Sequence, residues 1–209
     1  MNREKLSGAS HTRMIRLFII LDRMDEDWKQ TVLSSGELGN LIATSAENIR
    51  KDLNALGCSA SGRGYRVSEL TTSLKVTLKL QQELSAGLAG LDSWGAVLLK
   101  NPDSFPGIII TAAFDSSQNR IERTESLLPL HPSYEIREVF KRENIRVGIL
   151  ASESSDPERI LKRMIEGGAE GIINLTSCPL MVPENIFYHQ ADLTAGFLSI
   201  VSRINGVEK

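Results

Sequence analysis

The segment GLDSWG at residues 90–95 has the outline of a dinucleotide-binding glycine loop, G-x-G-x-x-G. In such a loop one glycine makes the tight turn, and another lets the following helix pack close to a strand. Gly90 and Gly95 hold these two positions. Asp115 follows Gly95 at close to the usual spacing for the acid that binds the ribose hydroxyls. We therefore predict a cofactor site formed by Gly90, Asp92, Gly95 and Asp115.

Asp92 occupies the position of the middle glycine, where backbone normally approaches the pyrophosphate closely. Two like unit charges about 4 Å apart repel by roughly 4 kcal/mol at an effective dielectric constant near 20. Even half of that energy would weaken binding more than about tenfold. We expect reduced or lost dinucleotide binding, or a different ligand without an anionic bridge at this point. Micromolar affinity for NADH would contradict this expectation.

The segments around the loop alternate between strand-like and helix-like patterns. Residues 107–115 form a continuous apolar run that ends in an acid, as buried parallel strands do, and residues 145–152 and 170–176 are also strand-like. Helices are predicted over residues 136–144 and 156–168, the second with Pro157 in its first turn. This alternation predicts a parallel sheet with helices on both faces. The segment before the loop is a weak strand, because only Leu84, Ala86 and Leu88 are apolar.

Residues 34–57 have the pattern of two short helices joined by a tight turn, which is a helix-turn-helix. Ser34 or Ser35 can cap the first helix, Ser45 stands at the N-cap of the second, and Gly57 ends it. The second helix carries polar side chains that could reach base edges or phosphates in a major groove. With the cap they are Ser45, Glu47, Asn48, Arg50 and Lys51. The alternative is that Arg50 and Lys51 lie on an ordinary solvated helix face.

The segment CSASGRGYRVSEL at residues 58–70 is rich in glycine and serine and ends in a strand-like pattern. Arg63 lies between Gly62 and Gly64, which suits a hairpin tip inserted into a narrow minor groove. A hairpin after a recognition helix is the winged form of the motif. The segment therefore predicts a wing that brings Arg63, Gly64, Tyr65 and Arg66 to DNA, and the alternative is a surface turn with a chance arginine.

Charge and composition divide the chain. Residues 1–80 contain 12 Lys and Arg against 9 Asp and Glu, a net charge of +3, whereas residues 81–209 contain 12 against 17, a net charge of −5. This asymmetry favours two parts with different partners. The two cysteines and three histidines have no metal-ligand spacing, and no G-x-S-x-G segment is present, so we expect neither a metal site nor a catalytic residue. With no leader and no long apolar run, a soluble, cytoplasmic protein without a membrane partner is expected.

Several motifs together resemble those of the redox-sensing transcriptional repressors called Rex. The run Arg50-Lys51-Asp52-Leu53 is similar to the end of their recognition helix, and Gly62-Arg63-Gly64-Tyr65 is similar to their wing, one residue tighter. AAFD at residues 112–115, GGAEGIINLTSCPLMVPENI at 167–186 and ADLTAGFLSIVSRI at 191–204 are similar to later family segments. The resemblance covers most of the chain, with its motifs in the family's order.

The resemblance implies an α/β fold class, with an N-terminal winged helix-turn-helix, a Rossmann-like domain and a C-terminal dimerisation helix. The expected boundaries are 1–80, 81–190 and 191–209. It further implies a homodimer that binds double-stranded operator DNA, uses NAD(H) as its cofactor and releases DNA when NADH binds. Arg50, Lys51 and Arg63 inherit DNA-contacting roles.

Three departures from the family pattern keep other functions open. Trp94 replaces a leucine of the loop, Ala151-Ser152 replaces a Val-Pro dipeptide near the nicotinamide end, and Glu153 adds a negative charge there. The alternatives are a Rex-like repressor with a weakened or lost NAD(H) response and a Rossmann-type oxidoreductase. The C-terminal helix has an apolar stripe that could cover its own domain or cross to a partner.

Overall fold

The computed structural model describes residues 6–60, 62, 64–152, 156–191 and 193–206. The chain divides into two compact units, with the division between Gln82 and Glu83. No helix in the described ranges is long and apolar enough to span a membrane.

The first unit is mostly helical. Its elements are α1 (Gly8–Asp22), α2 (Glu26–Lys29), β1 (Val32–Leu33), α3 (Ser35–Leu41), α4 (Ala46–Ala55), β2 (Tyr65–Arg66) and α5 (Val67–Thr77). One apolar core, in which Met14, Leu38, Ile49 and Leu74 are fully buried, joins α1, α3, α4 and α5. The buried residues of α1 are Met14, Leu17, Phe18 and Leu21, which recur at helical spacing and form its inner face.

The predicted helix-turn-helix is confirmed as α3, a short turn and α4. Ser34 caps α3, and Glu37 completes a capping box by accepting the backbone N–H of Ser34 at 2.8 Å. Gly39 is required in this turn, because a Cβ there would lie 2.5 Å from the backbone oxygen of Thr44. Ala43 has a left-handed φ of +54°, which reverses the chain before α4.

The strand predicted around Tyr65 forms, but its partner is not a neighbouring hairpin arm. β2 pairs antiparallel with β1, in the register Val32 with Arg66 and Leu33 with Tyr65. A Cβ on Gly64 would lie 2.5 Å from the backbone oxygen of Leu33, so a glycine is needed where the strands meet. The strand has only two residues, because the chain continues directly into α5, whose first residue, Val67, is fully buried.

The second unit alternates strands and helices. Its elements are β3 (Leu84–Ala89), α6 (Ser93–Leu99), β4 (Ile108–Asp115), α7 (Gln118–Arg123), β5 (Leu130–Pro132), α8 (Ile136–Arg142), β6 (Val147–Leu150), α9 (Pro157–Glu166), β7 (Gly171–Asn174), β8 (Phe187–Gln190) and α10 (Leu193–Ile204). The strands predicted over residues 107–115, 145–152 and 170–176 are confirmed as β4, β6 and β7, and the predicted helices as α8 and α9.

The strands of this unit form one parallel sheet in the order β5-β4-β3-β6-β7-β8. Counted from β3, this is the Rossmann order 3-2-1-4-5-6. The strand order reverses between β3 and β6, and ligands of open α/β sheets bind at the carboxyl ends of the strands at such a point. The loop after β3, which is GLDSWG, therefore lies at the switch point.

The small side chains of β3 are explained by the aromatic rings that pack against this strand. A Cβ on Gly87 would lie 2.4 Å from the Phe140 ring of α8 and 3.3 Å from the Phe114 ring of β4. The two rings contact each other, with centroids 5.8 Å apart. The central strand is poor in large apolar residues because these aromatic rings already fill the space above it.

Candidate nucleotide and DNA sites

The backbone of the GLDSWG loop has the conformation that a dinucleotide loop requires. Gly90 follows β3 with a φ of +102°, and a Cβ there would lie 2.2 Å from the Cβ of Ser152. A Cβ on Gly95 would lie 1.7 Å from the backbone oxygen of Gly90. Both glycines are therefore needed, the first for the turn and the second for the close approach of α6 to β3. The loop presents a cradle that a Cβ at either position would disrupt.

Asp115 ends β4 beside this loop, and its side chain is fully buried. One carboxylate oxygen accepts the backbone N–H of Leu91 at 2.9 Å, and the other accepts that of Ser117 at 2.8 Å. Arg120, in α7, donates from Nη1 to both oxygens at 3.1 and 3.0 Å. The acid that the sequence predicts for the ribose therefore anchors the loop to the end of β4.

Asp92 is paired with the same arginine. Its Oδ2 lies 3.3 Å from Nη1 of Arg120, and both side chains are 32% exposed. The hydrogen bond from Arg120 to Asp115 raises the pKa of Arg120, and the charges of Asp115 and Asp92 add to this effect against the opposing effect of desolvation. Asp92, Asp115 and Arg120 together carry a net charge of −1, as Asp115 alone would. The extra negative charge of Asp92 is thus offset.

Sequence reasoning missed Arg120, although its signal was present. The segment after AAFD places an arginine five residues beyond Asp115, on the first turns of a helix that Ser117 caps. A guanidinium at that distance can reach back to a carboxylate at the strand end. Glu153, the other predicted negative charge, lies outside the described residues.

Trp94 borders a cavity next to the loop. The cavity has a volume of about 400 Å³ and is lined from α6 by Trp94 and Leu98, from the segment after β7 by Leu175 and Thr176, and from the start of α10 by Leu193. Trp94 is nearly half exposed. The loop, the carboxyl end of β7 and the first turn of α10 therefore meet around one partly apolar space.

On the first unit, the predicted residues of α4 lie at the surface. Ser45 caps the helix by accepting the backbone N–H of Asn48 at 3.2 Å. Arg50 donates to Oγ of Ser35 at 2.8 Å, and Asn48 donates to Oγ1 of Thr44 at 3.2 Å. The set Ser45, Glu47, Asn48, Arg50 and Lys51 is exposed throughout. The structure thus brings these side chains together on one accessible helix.

The predicted wing residues have structural contacts of their own. Tyr65 is only 6% exposed and belongs to the core of the first unit. Arg66 donates to the backbone oxygen of Gln30 at 3.0 Å and pairs with Glu69 at 3.3 Å. Gly64 lies against β1, and Arg63 lies outside the described residues. Contact of these four residues with DNA stays a prediction.

A structural ion pair positions α4. Asp52, part of the Arg-Lys-Asp-Leu run, is 2% exposed and accepts from Arg13 of α1 at 2.9 and 2.8 Å. Arg13 also donates to Oγ of Ser10 at 2.9 Å. The pair fixes the exposed face of α4 relative to α1, and the helical pattern alone gave no signal of it. In the described ranges, no group of three or more histidine, cysteine or acidic side chains could hold a metal ion.

The geometry defines a class of protein: a helix-turn-helix unit followed by a Rossmann-type unit. No protein-family model matches the chain. A curated relative from Limosilactobacillus reuteri, named redox-sensing transcriptional repressor Rex, is 30% identical over 93% of this chain and 91% of its own. The chain therefore belongs to the Rex family of redox-sensing transcriptional repressors.

Solved structures agree on the fold. RSP, a Rex-family repressor, is 23% identical, with a TM-score of 0.84 over 96% of this chain and 95% of its own. Structures of RSP with beta-NADH, and with beta-NAD+ and operator DNA, match with TM-scores of 0.83 and 0.84. Each covers 96% of this chain, and 94% and 93% of its own, respectively. The predicted fold class is confirmed.

Proposed function

We propose that this chain is a repressor that binds operator DNA through α4 and responds to the NADH/NAD+ ratio through its Rossmann unit. The observation that carries the proposal is the glycine loop at the switch point of the 3-2-1-4-5-6 sheet, in a chain that also has an exposed helix-turn-helix. RSP supplies the precedent, since it has been solved with both forms of the nucleotide and with operator DNA.

The loop fits a dinucleotide. The left-handed Gly90 and the close contact at Gly95 form the cradle. Asp115 and Arg120 lie on its ribose side, and Asp92, at the pyrophosphate position, pairs with Arg120. The nicotinamide would supply the redox signal. Because the curated relatives are named as repressors, we assign the nucleotide a regulatory role and the chain no catalytic residue. NAD-dependent turnover by the purified protein would contradict that assignment.

DNA binding is assigned to α4, with Arg63 as the wing contact and Gly64, Tyr65 and Arg66 as its support. In this proposal Arg50 and Lys51 supply positive charge to phosphates, and the exposed side chains of Glu47 and Asn48 read base edges. An operator-binding role places the chain in the same compartment as the chromosome.

A second copy of the chain is the proposed partner. α10 has no buried residue, and its large apolar side chains are all more than half exposed: Leu193, Phe197, Leu198, Ile200, Val201 and Ile204. Such a helix needs a cover, and two-fold dimers match the symmetry of operators. We propose that residues 191–209 form the dimerisation segment, with α10 of each copy covered by the other.

To test DNA binding, a fragment that the protein binds is first selected from a pool of random duplexes. Binding of the protein to that fragment is then measured by fluorescence anisotropy. Loss of one phosphate-contacting side chain should weaken binding across all sequences and reduce the salt slope by about one. We expect this for Lys51→Ala, whereas Lys75→Ala, which removes the same charge from an exposed position on α5, should leave affinity unchanged. An unchanged Kd for Lys51→Ala and for Arg63→Ala would refute the assignment of this surface.

A further inference from the structure

Trp94, the second residue of α6, is a large aromatic side chain that the protein leaves nearly half exposed. It borders the cavity of about 400 Å³ beside the glycine loop. The ring pairs in the described ranges are Phe114 with His131 and Phe114 with Phe140, so the indole of Trp94 stacks on no side chain there. An unstacked aromatic face at the wall of a cavity is available to a planar ligand.

The position of the cavity indicates which part of a dinucleotide would reach it. A dinucleotide lies across the carboxyl ends of the strands, with its pyrophosphate at the glycine loop. Asp115 marks the adenosine side at the end of β4, so the nicotinamide half extends to the other side of β3, towards β6 and β7. Leu175 and Thr176, which follow β7, line the same cavity as Trp94. The cavity therefore lies on the nicotinamide side of the loop.

The lining of the cavity suits a nicotinamide. Leu98, Leu175 and Leu193 supply apolar contacts for the ring. Ser177 and Thr194 supply hydroxyl groups, which can donate to or accept from a carboxamide. The volume falls within the usual range of small-molecule sites, roughly 300–1,000 Å³. The cavity thus combines an aromatic wall, apolar sides and hydroxyl groups, as a planar ring with a carboxamide requires.

The backbone directly before Trp94 has an unusual conformation. Ser93 has a φ of +43°, a left-handed value that is uncommon for residues other than glycine. It turns the chain from the loop into α6, and Trp94 is the next residue. Strained backbone of this kind clusters at ligand-binding sites, and here it lies at the start of the helix that carries the indole.

The two redox forms of the nicotinamide differ in charge, because the oxidised ring is a cation and the reduced ring is neutral. A cation over the face of an aromatic ring is attracted by the quadrupole of that ring, and tryptophan is the best side chain for this interaction. We propose that the nicotinamide stacks on Trp94, which stabilises bound NAD+ more than an aliphatic residue would. Trp94 thereby raises the NADH/NAD+ ratio at which the repressor responds.

The inference rests on the proposed nucleotide response, and variants with a single tryptophan separate the two. The chain has two tryptophans, and Trp28, on α2 of the first unit, is exposed to a similar degree as Trp94. An oxidised nicotinamide ring accepts an electron from an excited indole that it contacts. Saturating NAD+ should therefore quench the emission of Trp94 in Trp28→Leu and leave that of Trp28 in Trp94→Leu unchanged. Unquenched emission in a Trp28→Leu variant that binds NAD+ would overturn the inference.

The affinities of the full-length protein for the two nucleotides give the second measurement. NADH is titrated by the fluorescence of its nicotinamide, and NAD+ by its displacement of NADH. Trp94→Leu should weaken NAD+ binding about fivefold more than NADH binding, since a partly exposed cation–π contact has that value. Trp94→Phe keeps an aromatic face and should restore part of the difference. The matched control, Trp28→Leu, should change neither affinity.

An equal loss of both nucleotides in Trp94→Leu would contradict the preference of the indole for the oxidised ring. Unchanged affinities in that variant would remove Trp94 from the site. In both cases the inference fails and the proposed function stands, because the wild type binds the nucleotides. If neither nucleotide binds the wild type, the proposed nucleotide response fails and the inference fails with it. Circular dichroism melting checks that each variant is folded.

Discussion

Arg120 joins two carboxylates, Asp92 of the glycine loop and Asp115 of β4, at the carboxyl edge of the sheet. The sequence places Asp92 against the pyrophosphate and so argues against a dinucleotide. The structure weakens that expectation, because Arg120, which lies outside the motif, offsets the charge of Asp92. The motif positions include Asp92, which repels the pyrophosphate, but not Arg120, which offsets the charge of Asp92.

Compensation at Asp92 is partial, because the pair is partly exposed and the carboxylate still lies in the loop. Replacing Asp92 by asparagine removes the charge at nearly constant volume. We expect NADH to bind about fivefold more tightly, which corresponds to roughly 1 kcal/mol for like charges about 4 Å apart in water. Nicotinamide fluorescence measures the change.

The control for this prediction is Asp103→Asn, which removes the same charge at an exposed position in the loop after α6. NADH affinity should be unaffected by that variant. Weaker NADH binding in Asp92→Asn would show that Asp92 contributes to the site rather than opposing it.

The helices and strands that the sequence predicted are those that depend on residues close together in the chain. α4 and α9 have a side-chain cap and an apolar stripe, and each helix forms as expected. β4 forms as its long apolar run predicted, and Ile110, Ala112 and Phe114 are fully buried in it. The strand β3 was a weak prediction, since its small residues are explained only by the Phe114 and Phe140 rings that pack on it.

The sequence did not predict the pairing of β2 with β1 or the burial of Asp52, because each depends on residues far apart in the chain. β2 has two residues, and its partner β1 lies on the far side of α3 and α4 in the chain. No local pattern indicates such a partner, so a hairpin was the simpler expectation. The burial of Asp52 has the same origin, because its partner Arg13 is 39 residues away.

The Arg13–Asp52 pair supports a stability prediction for the first unit. Asp52 is almost fully buried, so Asp52→Asn leaves the Arg13 guanidinium without its charged partner. We expect a loss of about 1–3 kcal/mol in the free energy of unfolding, which is typical for a buried group that loses its hydrogen-bond partner. Urea denaturation followed by circular dichroism measures it.

Asn54→Ala, at an exposed position on the same helix, provides the comparison. Surface substitutions of this kind usually stay within about 0.5 kcal/mol. Equal stability of the two variants would mean that the ion pair does not hold α4 against α1.

At the scale of the whole molecule, the two units differ in charge as well as in fold. The net positive charge of residues 1–80 suits a DNA-binding unit, and the net negative charge of residues 81–209 lies in the Rossmann part. Fold class and family followed from several motifs in the right order, and the relatives agree with that assignment. The apolar stripe of α10 does not by itself identify what covers it, so the expectation of a second copy came only from the family resemblance.

The apolar face of α10 supports a prediction about assembly. Phe197 is 67% exposed, so a charge there should not disturb the fold of a single copy. In a dimer that covers α10, Phe197→Glu buries an unpaired carboxylate and should shift the protein to monomers at micromolar concentration. Analytical ultracentrifugation measures the shift.

Ser199→Glu is the control, since the same charge is placed on roughly the opposite side of the helix. That variant should stay dimeric. A monomeric wild type, or a dimeric Phe197→Glu, would contradict the assignment of α10 as the dimerisation helix.

The central claim is that nucleotide bound in the Rossmann unit controls DNA binding by the helix-turn-helix unit. Its most direct test is the anisotropy of a labelled operator fragment bound to the full-length protein, titrated with NADH and, separately, with NAD+. We predict that saturating NADH raises the Kd for DNA at least about tenfold, a coupling of roughly 1.4 kcal/mol, and that NAD+ leaves the complex intact. A DNA affinity that is the same with NADH, with NAD+ and without nucleotide would contradict the account.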